Sequence, residues 1–285
     1  MQRRVSTQRS QRSQRRRLLV FLFVSVISVI SVFSSSPRAQ QRGAQPQTAR
    51  QQAPIDLTGY WVSLIVDEWR FRVTPQKGDI LYLPLNNQAR QIANAWDPDK
   101  DQADGNACKA YGAIGVMQRP GRLHITWDGD NALKIETDAG TQTRVLRFPS
   151  TGSGQAAAAA AAGEPTWQGN SAAVWQVNGR PLIDTGGTGF VPINRVQGAT
   201  RGGQLRVTTT KMKPGYLRKN GVPYSERAVL TEYFALVTGQ QNDSYITLTA
   251  MVDDPTYLTG QFIRTYTFKK VADATGWDPT PCWPR

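Results

Sequence analysis

The stretch RLHITWDGDNALKIETDAGTQTRVLRF, residues 122–148, contains three short runs in which apolar and polar residues alternate. Leu123, Ile125 and Trp127 share one face of the first run, and Asp-Gly and Ala-Gly pairs follow the first and second runs. Alternation with a period of two is typical of strands that bury one face, and glycine after a small polar residue is typical of tight hairpin turns. The stretch therefore predicts a three-stranded antiparallel meander.

Strand patterns continue on both sides of this meander. An apolar strand is predicted over residues 60–66 and an alternating strand over 69–73. Further strands are predicted at 204–210, 227–236, 245–252 and 261–269. Asn86 stands at the start of an apolar stripe with helical spacing, which predicts one short helix. About ten strands with a single short helix predict a mostly β fold, an antiparallel barrel or sandwich.

The beginning of the chain has a different composition from the rest. Residues 1–50 contain ten arginines and no acidic residue, and Arg15-Arg16-Arg17 precedes the uncharged run 18–33. A basic segment followed by a short apolar run is typical of a secretion signal. We therefore expect a signal peptide over residues 1–39 and an exported protein, periplasmic or secreted. If the signal is not cleaved, it becomes an N-terminal membrane anchor.

The remaining chain is predicted to form one domain. Residues 40–54 are rich in glutamine and lack apolar periodicity, which indicates a flexible tether. A single β-barrel domain is then expected over residues 55–285. Within it, the alanine-rich segment 150–163 is predicted to be a low-complexity insertion, and 184–203 a glycine-rich loop.

Charge and residue counts exclude several classes of function. The formal charge is +13, but residues 51–285 carry 24 basic and 21 acidic groups, so the excess lies in the leader and a nucleic-acid partner is not expected. The single histidine excludes sites that need two imidazoles. The acidic residues that follow Asp97 have Gln102 where a calcium loop requires glycine. No metal and no cofactor are predicted, and membrane contact is expected only through the N-terminal signal or anchor.

The two cysteines of the chain are Cys108 and Cys282. They are too far apart in sequence for a CxxC motif, and an even number of cysteines in an exported protein favours a disulfide. We expect this bond to attach the C-terminal tail to the segment around Cys108.

Gly59-Tyr60-Trp61, at the start of the first predicted strand, resembles the G-x-W motif of lipocalins and the wider calycin barrels. The resemblance implies a calycin-like barrel that is closed at one end by Trp61, with an arginine of the last strand packed across the indole. Arg264 shares a strand face with Tyr266, and a cation–π contact with Trp61 would explain its place among aromatic residues. The alternative is a core tryptophan with Arg264 in solvent.

Three other segments are similar to a group of uncharacterised exported bacterial proteins. They are RLHITW at 122–127, KPGYLRKNG at 213–221 and DDPTYLT at 253–259. This similarity implies export and a β-rich domain, and it implies no activity.

The function predicted from this architecture is non-catalytic binding of a small, largely apolar molecule inside the barrel. A barrel of about eight strands can hold one small ligand, and aromatic residues such as Trp127 and Tyr266 suit the wall of a pocket. His124 alternates with the apolar residues of its strand, so we expect it to face solvent or a polar cavity. The barrel could equally be filled by its own side chains, and the oligomeric state is not predicted.

Two alternative functions stay open. Residues 182–186, Leu-Ile-Asp-Thr-Gly, resemble the catalytic loop of retropepsin-like aspartic proteases. This resemblance implies that Asp184 is a catalytic carboxylate and that a homodimer supplies its partner. The other alternative is an envelope module that binds proteins through its sheet surface.

Overall fold

The computed structural model of the chain describes residues 47–66, 68–73, 75–149, 164–177, 182–184, 190–192 and 202–284, with the backbone alone for 182–184 and 190–192. The helices in these ranges are α1 (Ala49–Gln52), α2 (Trp69–Val73), α3 (Asn87–Ala95), α4 (Pro98–Ala103) and α5 (Ala113–Val116), and 3-10 turns lie at Ala107–Tyr111 and Gln240–Asn242. The strands are β1 (Gly59–Leu64), β2 (Arg122–Trp127), β3 (Ala132–Thr137), β4 (Gln142–Arg147), β5 (Asn170–Val177), β6 (Leu182–Asp184), β7 (Phe190–Pro192), β8 (Gly203–Thr210), β9 (Gly215–Arg218), β10 (Val222–Tyr224), β11 (Val229–Thr238), β12 (Ser244–Asp253) and β13 (Phe262–Val271).

Nine strands close into a barrel in the described part of the chain, in the order β1-β13-β12-β11-β8-β5-β4-β3-β2 and back to β1. Strands β9 and β10 form a separate two-stranded sheet, as do β6 and β7. The prediction of a mostly β barrel is confirmed. The prediction of a wholly antiparallel sheet is wrong at one place, because β4 and β5 are parallel. Parallel neighbours need a long connection, and residues 148–169 separate β4 from β5 in the sequence.

Several predicted elements are confirmed. The meander consists of β2, β3 and β4, with antiparallel pairing and the turn Asp128–Asn131 between β2 and β3. Helix α3 begins after Asn86, whose side chain accepts a hydrogen bond from the backbone of Ala89. The later barrel strands lie within two residues of the predicted bounds.

The predicted strand over 69–73 is instead helix α2, and the described residues contain five short helices rather than one. Arg72 of α2 is buried and donates hydrogen bonds to the carbonyl of Leu64 and the hydroxyl of Ser63. Because Arg72 contacts the last residues of β1, the chain must reverse its direction directly after this strand. The alternating pattern, which continues for only five residues, did not reveal this turn.

Residues 47–54, placed by the sequence in the flexible tether, pack on the barrel. Helix α1 has a capping box formed by Thr48 and Gln51. The amide of Ala49 donates to the side chain of Asn131 at 2.9 Å, and the indole of Trp175 donates to the carbonyl of Ala49 at 2.8 Å. The folded part of the chain therefore begins before Ile55.

The barrel has two chemically different ends. At the α1 end, where β1 begins, lie α1 and the turn between β2 and β3. At the α2 end, where β1 ends, lie the β1–β2 connection over residues 65–121 and the segment 211–228 with the β9–β10 hairpin. Helices α2 to α5 all belong to the β1–β2 connection.

The interior of the barrel is a hydrophobic core. Alternate residues of the barrel strands are buried and belong to one cluster. They include Trp61, Leu123, Ile125, Leu133, Ile135, Leu146, Ala173, Leu205, Val207, Leu230, Phe234, Ile246, Leu248, Val252, Phe262, Tyr266 and Phe268. The period-two pattern of the sequence thus places the large side chains inside the barrel, where they fill it.

The predicted disulfide between Cys108 and Cys282 is confirmed, with the two Cα atoms 5.1 Å apart. Beside it, the hydroxyl of Tyr111 donates to the carbonyl of Trp283 at 3.2 Å. The amide of Thr280 donates to the carbonyl of Asp138 at 3.0 Å. The C-terminal tail is therefore attached to the α2 end by one covalent bond and several hydrogen bonds.

Replacing both Cys108 and Cys282 by serine should lower the free energy of unfolding by about 3 to 5 kcal/mol, since the bond closes a loop with a sequence separation of 174 residues. Urea unfolding of the oxidised protein and of the double variant measures the difference. A reducing agent should destabilise the wild-type protein by a similar amount and leave the double variant unchanged. Equal midpoints for both proteins would contradict a stabilising bond.

Candidate functional site

The polar feature deepest in the barrel is an ion pair between Arg144 of β4 and Glu232 of β11. Arg144 Nη1 donates to Glu232 Oε1 at 3.0 Å, and Nη2 donates to Oε2 at 2.6 Å. Each side chain is only 1% exposed. Bidentate geometry of this kind offsets much of the free energy lost when two charges leave water. The pair occupies space in the interior that a ligand would need.

Sequence reasoning missed this pair, although a signal exists. Arg144 alternates with Leu146, and Glu232 alternates with Leu230 and Phe234, so each charge stands on the apolar face of its strand. A charge on a buried face needs an opposite charge nearby. The pattern indicates two buried charges, but it does not say that they contact each other.

A groove lies at the α1 end, outside the filled interior. It has a volume of about 580 Å³. Its lining consists of Gln47, Gln51, Gln52, Ala53, Pro54, Trp175 and Val177. A second depression of about 380 Å³ lies beside residues 50–58 and Trp127. Residues 50–54 therefore contribute to both concave surfaces.

Three aromatic rings lie against one another at the α1 end of the barrel. Ring centroids of Trp127 and Phe148 are 5.8 Å apart, those of Phe148 and Trp175 are 5.3 Å apart, and those of Trp127 and Trp175 are 6.4 Å apart. The sequence had predicted Trp127 as part of a pocket wall. The structure places it beside the smaller depression and in contact with Trp175, which lines the larger groove.

Trp61 is fully buried, and its indole nitrogen donates to the carbonyl of Leu57 at 3.0 Å. The cation over its ring is Lys270, with Nζ 5.4 Å from the centroid. Gly59 has a φ of +113°, and a Cβ at that position would come within 3.1 Å of Lys270 Cε. The glycine of the G-x-W motif thus leaves room for the lysine that covers the tryptophan.

The expected contact between Arg264 and Trp61 is wrong. Arg264 precedes Lys270 by six residues on β13, which is about 20 Å along an extended strand. It lies at the α2 end, with Nε 2.8 Å from Glu68 Oε2 and Cζ 4.6 Å from the centroid of the Phe262 ring. Alternation put Arg264 on the correct face of β13 but did not reveal which cation lies level with Trp61.

Tyr266 also belongs to the α2 end. Its side chain is buried, Arg72 Cζ lies 5.2 Å from its ring centroid, and burial raises the pKa of its hydroxyl. Tyr266 and Trp127 were both expected in the wall of one pocket. The structure assigns them to opposite ends of the barrel instead.

His124 lies on the outer surface of the barrel. Its ring stacks on Tyr60 with centroids 4.1 Å apart, and its Nδ1 lies 3.3 Å from Glu136 Oε2. Trp277 of the C-terminal tail approaches both rings edge-on. Of the two orientations that the sequence allowed, the structure shows the outward one, with the ring half-buried among aromatic groups.

Asp184 is the last residue of β6 and pairs with Phe190 of β7. Residues 178–181 and 185–189, which include Thr185 and Gly186 of the Asp-Thr-Gly motif, lie outside the described part of the chain. A catalytic role of Asp184 stays a prediction. Among the described residues, no group of three or more acidic, histidine or cysteine side chains could hold a metal ion.

No family model, curated protein or solved structure matches this chain. Within the described ranges, none of the helices has the length and apolar character needed to cross a membrane.

Replacing Glu232 by leucine should lower the free energy of unfolding by about 3 to 5 kcal/mol, because it leaves the Arg144 guanidinium buried without its partner. A double variant with leucine at both positions should recover most of this loss. Denaturant unfolding of the wild-type protein, Glu232→Leu, Arg144→Leu and the double variant gives the coupling energy directly. Asp243→Leu, which breaks an exposed pair with Lys269, is the control and should have little effect. A double variant no more stable than the single variant would contradict the argument.

Proposed function

We propose that this chain is an exported, non-catalytic binding protein that holds a small, largely apolar molecule at the α1 end of its barrel. The observation that carries the proposal is the groove of about 580 Å³ between residues 47–54 and Trp175. Binding sites for small molecules usually have volumes of this order, with an apolar wall and a few polar groups.

The chemistry of the groove indicates an amphipathic ligand. Trp175, Val177 and Pro54 offer apolar surface, and the amides of the lining glutamines can both donate and accept hydrogen bonds. The ligand therefore has an apolar body and one neutral polar group. The packed interior supports a site at the mouth of the barrel rather than at its centre.

The contact between Lys270 and Trp61 supports a calycin-like barrel as the architecture of this binding protein. A cation of the last strand lies over a tryptophan of the first strand, as the G-x-W resemblance implies, although the cation is a lysine at a different position. Export is supported by the arginine-rich, then apolar, composition of residues 1–33 and by the Cys108–Cys282 disulfide.

Replacing Val177 by lysine should prevent binding, because it puts a charge into the apolar side of the groove. Val177 is 47% exposed at the end of β5, so the substitution should not disturb the core. We expect affinity for the neutral apolar dye N-phenyl-1-naphthylamine, followed by its fluorescence, to fall at least about tenfold. Native mass spectrometry of the protein from its own envelope fraction should show extra mass that is lost on denaturation and is absent from the variant.

Val174→Lys is the matched control. Val174 is 43% exposed on the same strand, but it lies on the opposite face and does not line the groove. This variant should bind the dye and retain the extra mass like the wild-type protein. A bare polypeptide mass together with no dye binding in the wild-type protein would reject the proposed function, as would equal binding by the two lysine variants.

A further inference from the structure

The α2 end of the barrel contains an arginine that has no acidic partner among the described residues. The fully or nearly fully buried arginines of the described residues are Arg72, Arg119, Arg144 and Arg218. Arg144 pairs with Glu232, and Arg218 lies 3.4 Å from Glu68. Arg72 donates to backbone carbonyls and to a serine hydroxyl. Arg119 differs from the other three.

Arg119 is 6% exposed, and its Nε and Nη2 atoms are buried without a hydrogen-bond partner. Burial, to which Arg72 adds a smaller effect, lowers the pKa of its guanidinium to about 10. Tyr111 and Tyr266 oppose this shift to a smaller extent. Because buried donors in folded proteins nearly always have a partner, these two atoms are available to donate to a ligand oxygen.

Lys219 provides a second cation beside Arg119 and a route to the surface. Its side chain is half-buried in the turn between β9 and β10, with Nζ 5.8 Å from the centroid of the Tyr111 ring. Burial and then the charge of Arg119 lower the pKa of its ammonium to about 8. Tyr111 is thus a neighbour of both cations, and an anion bound near them would relieve the repulsion between their charges.

At the same end of the barrel, Glu68 provides the counter-charge for two other cations. One of its oxygens lies 3.4 Å from Arg218 Nη2, and the other lies 2.8 Å from Arg264 Nε. The carboxylate of Glu68 thus pairs with two arginines. Among the described residues, neither Arg119 nor Lys219 forms an ion pair of this kind.

We infer that Arg119 and Lys219 form a binding site for a small oxyanion, a phosphate or carboxylate group, beside Tyr111 at the α2 end. The planar guanidinium presents Nε and Nη2 on one edge, and this edge matches two oxygens of such a group. The ammonium group of Lys219 contributes a compact positive charge at the more solvent-exposed side of the site. The site lies at the opposite end of the barrel from the groove and does not depend on the function proposed for it.

Thermal unfolding of the oxidised protein in inorganic phosphate, in acetate and in sodium chloride at equal ionic strength tests this site. We expect the Tm to rise saturably with phosphate, or with acetate if carboxylates are preferred, and to exceed the Tm in chloride. Arg119→Met should abolish the anion-specific rise while its own Tm stays equal or increases, since an unpaired buried charge is removed. Arg147→Met removes an exposed charge from β4, near the α1 end, and should keep the full rise.

Calorimetric titration of the Lys219→Gln variant with the preferred anion provides a second measurement, independent of whether Arg119→Met folds. Because Lys219 is half-buried, this variant should fold and bind at least about tenfold more weakly than the wild-type protein. Equal Tm values in phosphate, acetate and chloride for the wild-type protein would overturn the inference. So would a full anion-specific rise in Arg119→Met, or unchanged affinity in Lys219→Gln.

Discussion

The ion pair between Arg144 and Glu232 crosses the junction of β4 and β5, which has the fewest paired residues of any two neighbouring strands in the described barrel. In the described residues, the parallel strands β4 and β5 are connected through the pairs Leu146–Ser171 and Arg147–Ala172, whereas the antiparallel neighbours share longer registers. The ion pair links β4 to β11, which lies beyond β5 and β8 in the strand order. It therefore holds the two sides of the parallel junction together from within. Burying two charges lowers stability unless their geometry is good, and the bidentate contact provides that geometry.

The pair and the surrounding hydrophobic side chains occupy the interior, and both proposed binding sites lie at the ends of the barrel. The α1 end offers aromatic and aliphatic surface with neutral amides, contributed by residues 47–54 and by Trp175. The α2 end offers arginines and a lysine around buried tyrosines, with Glu68 as the carboxylate between two of the arginines. The two ends differ because different segments cover them. The glutamine-rich residues 47–54 cover the α1 end. The long β1–β2 connection and the β9–β10 hairpin cover the α2 end. The two ends of the barrel thus differ in chemistry, and a different kind of ligand is proposed for each.

Much of the fold could be predicted from the sequence, and the failures share a cause. The meander, the strands after residue 203, the helix capped by Asn86 and the disulfide depend on local pattern or on the presence of just two cysteines. Helix α2 was missed because hydrogen bonds from Arg72 to the end of β1 outweigh a five-residue alternation. Residues 47–54 were taken for a tether because their partners, Asn131 and Trp175, are distant in sequence. Of the candidate site residues, Trp127 lies at the α1 end in contact with Trp175, which the sequence did not single out, whereas Arg264 and Tyr266 lie at the α2 end.

The sequence by itself determined which side chains face into the barrel, since the period of a strand is two and a buried face must be apolar. It also predicted the disulfide between Cys108 and Cys282. Which charges meet was decided only by the tertiary structure: Arg144 with Glu232, Lys270 over Trp61, Arg264 with Glu68, and Arg119 with no acid. The physical reason is that alternation specifies a face but not a level along the barrel axis. The level depends on strand register and tilt, which are set by pairing between segments far apart in the chain.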